Sequence, residues 1–287
     1  MEESFWTQKE KQSALDKTEQ NLPTPNLVFQ EIISLITDPY SSIYEIVSLI
    51  SEDPALSIKT LRLANRLERN RAESLVSVKQ ALSRLSREQI KNLVLSTYVT
   101  PDEQEYQEVI FRHSLACACA SRMIGRNLYP HKPLKLEVLF TLGLLHDIGK
   151  LVIFSFYSQE TSAQNTRSVS QRETRNSNLQ EAGHTEIGAE FIAENHLSGE
   201  IYQVVRFHHL PKRASNHKES VMIVHLADYI ANQFLQIPEC GRLNSMEEEC
   251  WTIIGLDKGK IPDYLSQLKD EFQKSEVFLK LSETKPS

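Results

Sequence analysis

Glycine is scarce in this chain, with 9 glycines among 287 residues. Strand-rich folds need many tight turns, in which glycine supplies backbone conformations that other residues avoid. The scarcity therefore favours helices over strands. Hydrophobic residues make up 40% of the chain, which is typical of a folded globular protein and not of a disordered one. A chain of this length can form one large domain or two modest ones, each with a sizeable core.

A concentrated basic patch is also missing, and the formal net charge is −6. Proteins that bind nucleic acid polymers neutralise phosphates with clustered lysines and arginines. The short basic run at Arg66, Arg69 and Arg71 is more typical of a solvated helix end. We therefore expect no nucleic acid polymer among the partners of this protein.

Cysteine usage and targeting signals point to the cytoplasm. The four cysteines contain no CxxC pair, which excludes an all-cysteine structural zinc site, so we expect buried reduced thiols. Residues 1–20 are polar and charged, unlike a signal peptide. We identify no apolar stretch that reaches the roughly 20 residues of a membrane-spanning helix. The sequence thus predicts a cytoplasmic protein without a membrane segment.

Apolar side chains recur at helical spacing over most of the chain, which predicts an all-α helical bundle. We expect a disordered leader over residues 1–21 and a bundle of short helices over residues 22–100. Within that bundle, Asp53-Pro54 starts one helix with an aspartate cap and a proline in the first turn. We expect residues 101–235 to form a second helical unit, the metal-binding core, and residues 236–287 to form a C-terminal helical extension.

Two further segments of the second unit have distinctive compositions. Residues 134–156 are strongly apolar and predict one helix, whose apolar surface is interrupted by His146 and Asp147. Residues 162–183 are rich in Ser, Thr, Asn, Gln and Arg and lack an apolar period. We expect this polar stretch to be a mobile loop or a loosely held helix.

Several histidines and aspartates are embedded in helical, mostly apolar sequence. A charged aspartate between Leu145 and Ile148 is costly to bury without compensation, and a divalent cation is one compensation. Imidazole together with carboxylate suits iron, manganese, zinc or nickel. The candidate metal ligands, in chain order, are His113, His146, Asp147, His184, His208, His209 and Asp228.

Each candidate also has an ordinary structural interpretation. His208-His209 could be a pair at a helix C-terminus, where the dipole favours positive charge. Asp228 could be a surface residue, and His113 could bond a backbone carbonyl. The remaining histidines in polar sequence, such as His196 and His217, fit such roles. Seven separate coincidences in this order are harder to accept, so we expect the candidates to share a metal site.

The run LGLLHDIGK at Leu142–Lys150 resembles the signature of the HD superfamily of metal-dependent phosphohydrolases. The wider order of motifs, over roughly Leu22 to Leu235, is similar to the HDOD domain, the HD-related output domain of bacterial signalling proteins. The resemblance implies a bacterial protein with a helical HD-like core behind an N-terminal helical subdomain. It rests further on Leu22-Pro23, Asp53-Pro54-Ala55-Leu56, Leu61–Asn65 (LRLAN), His113-Ser114, His184–Ala189 (HTEIGA) and His208–Pro211 (HHLP).

Dinuclear HD phosphodiesterases imply a division of the seven ligands between two ions. The first ion would bind His113, His146, Asp147 and Asp228. The second would share Asp147 as a bridge and would bind His184, His208 and His209. A water or hydroxide between the ions would be the nucleophile, its pKa lowered by the two cations. We expect iron or manganese, with zinc or nickel as alternatives.

Two neighbours of these ligands have open roles. Lys150 follows Asp147 by one helical turn, so it could act in catalysis by holding a substrate phosphate, or it could be an ordinary surface lysine. His225 lies one turn before Asp228 and could support a ligand or simply belong to the core.

Two departures from the HD-GYP phosphodiesterases limit the functional expectation. The GYP loop that follows the His-His pair is replaced by Leu210-Pro211-Lys212-Arg213, which disfavours cyclic di-GMP hydrolysis. Val109 stands where some members place a glutamate for a third ion, so at most two ions are expected. We therefore expect a signalling or regulatory protein, whose partner is a signalling protein or a phosphate-containing small ligand. The alternatives are a nucleotide phosphodiesterase or phosphohydrolase, and a non-catalytic helical scaffold.

Overall fold

The structure of the protein is a computed structural model that describes residues 6–18, 22–38, 40–68, 74–99, 105–128, 134–163, 183–237 and 248–275. Most of the described residues are helical, which confirms the predicted all-α class. The helices are α1 (Gln8–Thr18), α2 (Asn26–Thr37), α3 (Ile43–Glu52), α4 (Pro54–Leu67), α5 (Val78–Leu82), α6 (Arg87–Leu95), α7 (Glu105–Leu128), α8 (Leu136–Leu145), α9 (Ile148–Ala163), α10 (183–194), α11 (Gly199–Phe207), α12 (Lys218–Leu235), α13 (Glu248–Ile254) and α14 (Ile261–Phe272).

In the part of the chain that the structure describes, the extended structure amounts to one short ladder. Strand β1 (Pro23–Thr24) pairs in parallel with strand β2 (Tyr98–Val99), with Pro23 opposite Tyr98. A proline has no backbone N–H to donate, so this ladder is weak and only ties the two ends of the N-terminal bundle together. The bundle therefore gains its stability from the packing of α2 to α6.

Side-chain caps start most helices of this bundle. The Asp53 carboxylate accepts a hydrogen bond from the backbone N–H of Leu56, with Pro54 in the first turn of α4, as predicted. Ser86 and Gln89 form a reciprocal capping box at the start of α6. Such caps satisfy backbone donors that have no partner inside the helix. Local sequence thus sets where these short helices begin.

The prediction of a disordered leader over residues 1–21 is wrong for the part of this segment that the structure describes. Residues Gln8–Thr18 form helix α1, which packs against α9. Trp6 and Leu15 are buried, and the Trp6 ring contacts the Phe156 ring of α9. Because charged residues separate the few apolar ones, the buried face of α1 was hard to recognise in the sequence. Residues 1–5 and 19–21 lie outside the described residues.

The core around the candidate ligands is formed mainly by α7, α8, α9 and α12. Helix α7 packs most extensively against α8 and α12. Helix α14, from the predicted C-terminal extension, also packs against α7 and α12. Its Glu271 forms salt bridges with Arg122 and Arg126 of α7. The extension thus adds to the core, while the predicted domain boundaries remain predictions.

The apolar segment 134–156 differs from two expectations. It forms two helices, α8 and α9, which are separated by a break at His146 and Asp147. Contrary to the prediction, Leu136–Tyr157 is long and apolar enough for a spanning helix by length and composition, with a mean hydropathy of 1.6. However, 89% of the 18-residue window that meets this criterion is buried inside the protein. The protein core therefore accounts for its hydrophobicity.

Two other sequence predictions concern the thiols and the polar stretch. Cys117 and Cys119 are free and buried, as predicted, and Cys250 is also buried, whereas Cys240 lies outside the described residues. The stretch 162–183 is described only at its two ends, as the last turn of α9 and the first residue of α10. The prediction of a mobile loop or a loosely held helix therefore concerns residues that lie outside the described part of the chain.

Candidate metal centre

Five structural elements bring the seven candidate ligands together. Helix α7 carries one ligand, the break between α8 and α9 carries two, and the first turn of α10 carries one. The turn after α11 carries two, and α12 carries one. Six of the seven are buried, and only the His209 side chain keeps appreciable exposure, at 24%. The ligands in this order are His113, His146, Asp147, His184, His208, His209 and Asp228.

The first group consists of His113, His146 and Asp228, next to Asp147. The Nε2 atoms of His113 and His146 are 3.2 Å apart. The Nε2 atom of His113 is also 3.1 Å from Oδ1 of Asp228 and 3.4 Å from Oδ2 of Asp147. Four donor atoms from three helical regions thus surround one small volume.

The second group consists of Asp147, His184, His208 and His209. Oδ1 of Asp147 lies 3.1 Å from Nε2 of His184 and 3.5 Å from Nε2 of His208. The Nε2 atoms of His184 and His209 are 3.1 Å apart. Because Oδ2 of Asp147 faces the first group and Oδ1 faces the second, this carboxylate lies between them. The groups are those that the family resemblance implied.

The distances and donor types fit divalent ions. Two imidazole nitrogens that bind one zinc-sized ion at about 2.1 Å lie roughly 3.0–3.4 Å apart, which is the separation of both histidine pairs here. Nε2 of His208 has no hydrogen-bond partner among the described residues. A buried polar atom without a partner is costly, and a bound cation would remove that cost. The role of these residues as ligands remains a prediction.

Backbone carbonyls fix the tautomers of two histidines. Nδ1 of His146 donates to the carbonyl of Gly143 at 2.7 Å. Nδ1 of His208 donates to the carbonyl oxygens of Val204 and Val205 at 3.2 and 3.1 Å. In a neutral imidazole only one nitrogen carries hydrogen, so in the neutral form of both residues the lone pair of Nε2 would face the site. This arrangement prepares both rings to bind a metal ion.

For Asp147, Asp228, His184 and His209, the protonation states are also those that a metal ion requires. Burial alone would raise the pKa of Asp147, but the neighbouring His146 and Lys150 outweigh it and hold that pKa well below its usual range. Asp228 is likewise buried, and hydrogen bonding to His113 lowers its pKa. Burial lowers the pKa of both His184 and His209, because the charged imidazolium is poorly solvated there. The carboxylates are therefore ionised and these imidazoles neutral at pH 7.

Two glycines allow α10 to approach the site. A Cβ atom on Gly149 would lie 1.9 Å from the carbonyl oxygen of His184, so any side chain would collide with backbone there. Gly188 faces the same crossing, and its Cβ would lie 3.0 Å from the backbone nitrogen of Gly149. Glycine permits this close contact of α9 and α10. The HDIGK signature thus supplies the space for His184 as well as two ligands.

Lys150 lies at the edge of the site. Its Nζ is 2.5 Å from Oδ2 of Asp147, and its side chain is 25% exposed. The ammonium group can therefore contact both a ligand carboxylate and a molecule arriving from solvent. Its role in holding a phosphate stays a prediction.

Two polar residues of α12 contact the site and were not assigned a definite role from the sequence. Nδ1 of His225 donates to the backbone carbonyl of His208 at 2.7 Å. Nδ2 of Asn232 donates to Oδ1 of Asp228 at 2.8 Å. The available signal was their spacing from Asp228, three residues before and four residues after it, on one face of a mostly apolar helix.

Comparison with protein families gives one match that covers most of the chain. Residues 22–211 match the family model of the HDOD domain. A curated relative, an uncharacterized protein of Treponema pallidum (strain Nichols), is 26% identical in an alignment over 215 residues that covers 69% of this chain. The chain spans 40% of the length of that relative.

Solved structures share the fold at low sequence identity. The MmoQ response regulator of Methylococcus capsulatus str. Bath matches with a TM-score of 0.62 and 19% identity, over 86% of this chain and 98% of the regulator. A virulence factor of Campylobacter jejuni matches with a TM-score of 0.62 and 15% identity, over 94% of this chain and all (100%) of that protein. At these identities the similarity establishes the helical architecture alone.

Proposed function

This chain belongs to the HDOD domain family, and from that premise we propose that it is a signal-transduction or regulatory protein whose core holds two divalent metal ions. One observation carries the proposal. The buried carboxylate of Asp147 lies between two groups of imidazoles, with one oxygen within 3.5 Å of nitrogens on each side. Burying this many unshared donor atoms without a cation would be costly.

The residues would divide between the ions as their grouping suggests. The first ion would be held by His113, His146, Asp228 and Oδ2 of Asp147, and the second by Oδ1 of Asp147 with His184, His208 and His209. A mixed set of imidazole and carboxylate suits iron or manganese, with zinc or nickel as alternatives. Two such cations would lower the pKa of a water molecule bound between them.

The regulatory assignment rests on the residues immediately after the His-His pair. There, Leu210 leads into a short 3₁₀ helix at Pro211–Arg213, where HD-GYP phosphodiesterases carry their GYP loop. Cyclic di-GMP hydrolysis is therefore disfavoured. We infer that the protein acts in the cytoplasm on a signalling protein or a phosphate-containing small ligand.

A second candidate function is hydrolysis of a nucleotide or another phosphoester. The complete ligand set favours it, because a purely structural site needs no bridging carboxylate between two ions. Lys150 also favours it, since its partly exposed ammonium beside Asp147 could orient a substrate phosphate.

Elemental analysis of protein purified without added metal tests the metal centre. By the ligand count we expect about two transition ions per chain, and loss of both in the double variant His146→Ala, Asp147→Ala. His196→Asn is a matched control, because it removes an exposed imidazole outside both groups. Asparagine also tolerates the left-handed backbone at that position, where φ is 52°. Wild-type protein that contains almost no metal after iron or manganese supplementation would refute the proposal.

Hydrolysis of bis-p-nitrophenyl phosphate and of cyclic and linear dinucleotides separates the two functions. Turnover by metal-loaded wild type, lost in the His146→Ala, Asp147→Ala variant and kept in the His196→Asn variant, would establish a hydrolase. Binding of a dinucleotide without turnover would support the regulatory function.

A further inference from the structure

We propose that His225 and Asn232 are positioning residues, and that each serves a different one of the two metal groups. The inference rests on the proposed metal centre. Together with Asp228, these residues occupy positions i, i+3 and i+7 of α12, which share one helical face. Helix α12 would then orient both groups at once, although it contributes only one ligand.

Asn232 acts on the first group. Its amide donates to Oδ1 of Asp228, the oxygen that lies 3.1 Å from Nε2 of His113. This hydrogen bond limits rotation of the carboxylate and still leaves a lone pair of Oδ1 for a cation. Asp228 is 4% exposed, so few water molecules could replace the amide. Without Asn232 the carboxylate would lose its fixed orientation toward the first ion.

His225 acts on the second group through the backbone. Its Nδ1 donates to the carbonyl of His208, in the turn that follows α11. Carbonyls at a helix C-terminus lack partners within the helix, and this bond supplies one. The peptide that receives the bond joins His208 to His209, whose rings are 4.0 Å apart between centroids. Fixing this peptide therefore fixes the direction of both rings toward the second ion.

Outer hydrogen bonds of this kind change metal affinity by about 10- to 100-fold. Because His225 contacts a residue of the second group and Asn232 a residue of the first, we expect their effects to be separable. A general loosening of α12 would instead weaken both groups together, since this helix packs against α7, α8 and α11.

Two single-group backgrounds allow each group to be measured alone. His184→Ala should leave the first group able to bind, and His113→Ala should leave the second. We would titrate each background with Mn²⁺ and follow free Mn²⁺ by electron paramagnetic resonance. Asn232→Leu should weaken binding about 10- to 100-fold in the His184→Ala background and less than about twofold in the His113→Ala background. His225→Leu should give the opposite result.

His225→Asn is the rescue variant, because its side-chain amide can donate from nearly the position of Nδ1. It should restore most of the affinity that His225→Leu removes. Asn232→Ala, which favours the helix, provides a second test if leucine disturbs packing. Thermal unfolding of the metal-free proteins checks that each variant folds.

The outcomes distinguish the inference from the proposed function. Equal losses in both backgrounds, no loss in either, or failure of His225→Asn to rescue would overturn the positioning roles while the metal centre stands. If wild type and both backgrounds fail to bind Mn²⁺, the proposed metal centre is wrong and the positioning roles fall with it.

Discussion

Substitution of Gly149 by alanine should detach one metal group while the other survives. The added Cβ would lie 1.9 Å from the carbonyl oxygen of His184 and 2.8 Å from its carbonyl carbon. Both are backbone atoms, so no side-chain rotation can relieve the collision. The first turn of α10, which carries His184, must therefore move away from α9.

The size of this movement can be worked out from the contact distances. Ordinary van der Waals contact begins at 3.4 Å, so the oxygen must retreat by 3.4 − 1.9 = 1.5 Å. Metal sites tolerate deviations of only about 0.2 Å in ligand distance. His184 would therefore leave the second group, while His113, His146 and Asp228 would keep their positions. Overpacking of this kind should also destabilise the fold by about 1–3 kcal/mol.

Metal content and unfolding of the Gly149→Ala protein provide the assay. We expect the content to fall from about two ions toward one per chain, given the ligand count, with a lower midpoint of thermal unfolding. Gly199→Ala is the matched control, because a Cβ atom there has no neighbour within 4 Å. That variant should keep both ions and its stability. Gly188→Ala, with a Cβ 3.0 Å from the Gly149 nitrogen, should have a smaller effect than Gly149→Ala.

Retention of two ions and an unchanged unfolding midpoint in Gly149→Ala would refute this reasoning. It would mean that α9 and α10 do not approach each other as closely as described. Loss of both ions with a folded protein would also contradict it, because the first group contains no residue of α10.

Three further predictions concern stability. Burial raises the pKa of Asp53 from 3.8 to about 7. Between about pH 4 and pH 7 the folded protein therefore keeps a proton on Asp53 that the unfolded chain has released. The free energy of unfolding consequently falls as the pH rises from about 4 to 7. Asp53→Asn, which can keep the helix cap, should raise the free energy of unfolding above that of wild type by up to about 4 kcal/mol at pH 8 and by little at pH 4, as measured by urea unfolding. Identical pH profiles of stability for both proteins would contradict this. Chelation should lower the calorimetric unfolding temperature, since ligand at 100 times Kd stabilises by about 2.7 kcal/mol, and the Asp147→Ala variant should not respond to the chelator. The Lys11 side chain is 9% exposed and pairs with two glutamates of α10. Lys11→Met should therefore lower the free energy of unfolding by about 1–3 kcal/mol. Lys9 is exposed, so Lys9→Met should leave the free energy of unfolding almost unchanged.

Much of the local structure was predictable because it depends on neighbours in sequence. Asp53-Pro54 and the serine caps start helices through contacts within four residues. The HDIGK signature and the order of the motifs identified the family, and resemblance divided the seven candidates into the two groups that the structure brings together. The helical break at His146 and Asp147 was not predicted, because apolar composition continues across it.

By itself, the sequence determined the helical class, the family and the identity of the candidate ligands, because these depend on composition, spacing and motif. Only the tertiary structure decided which atoms face each other across 25 to 115 positions of chain, since helix packing sets those distances. Packing also buried α1 and placed His225 and Asn232 against the site. These contacts depend on where side chains point in the packed structure, and the order of residues along the chain does not determine that.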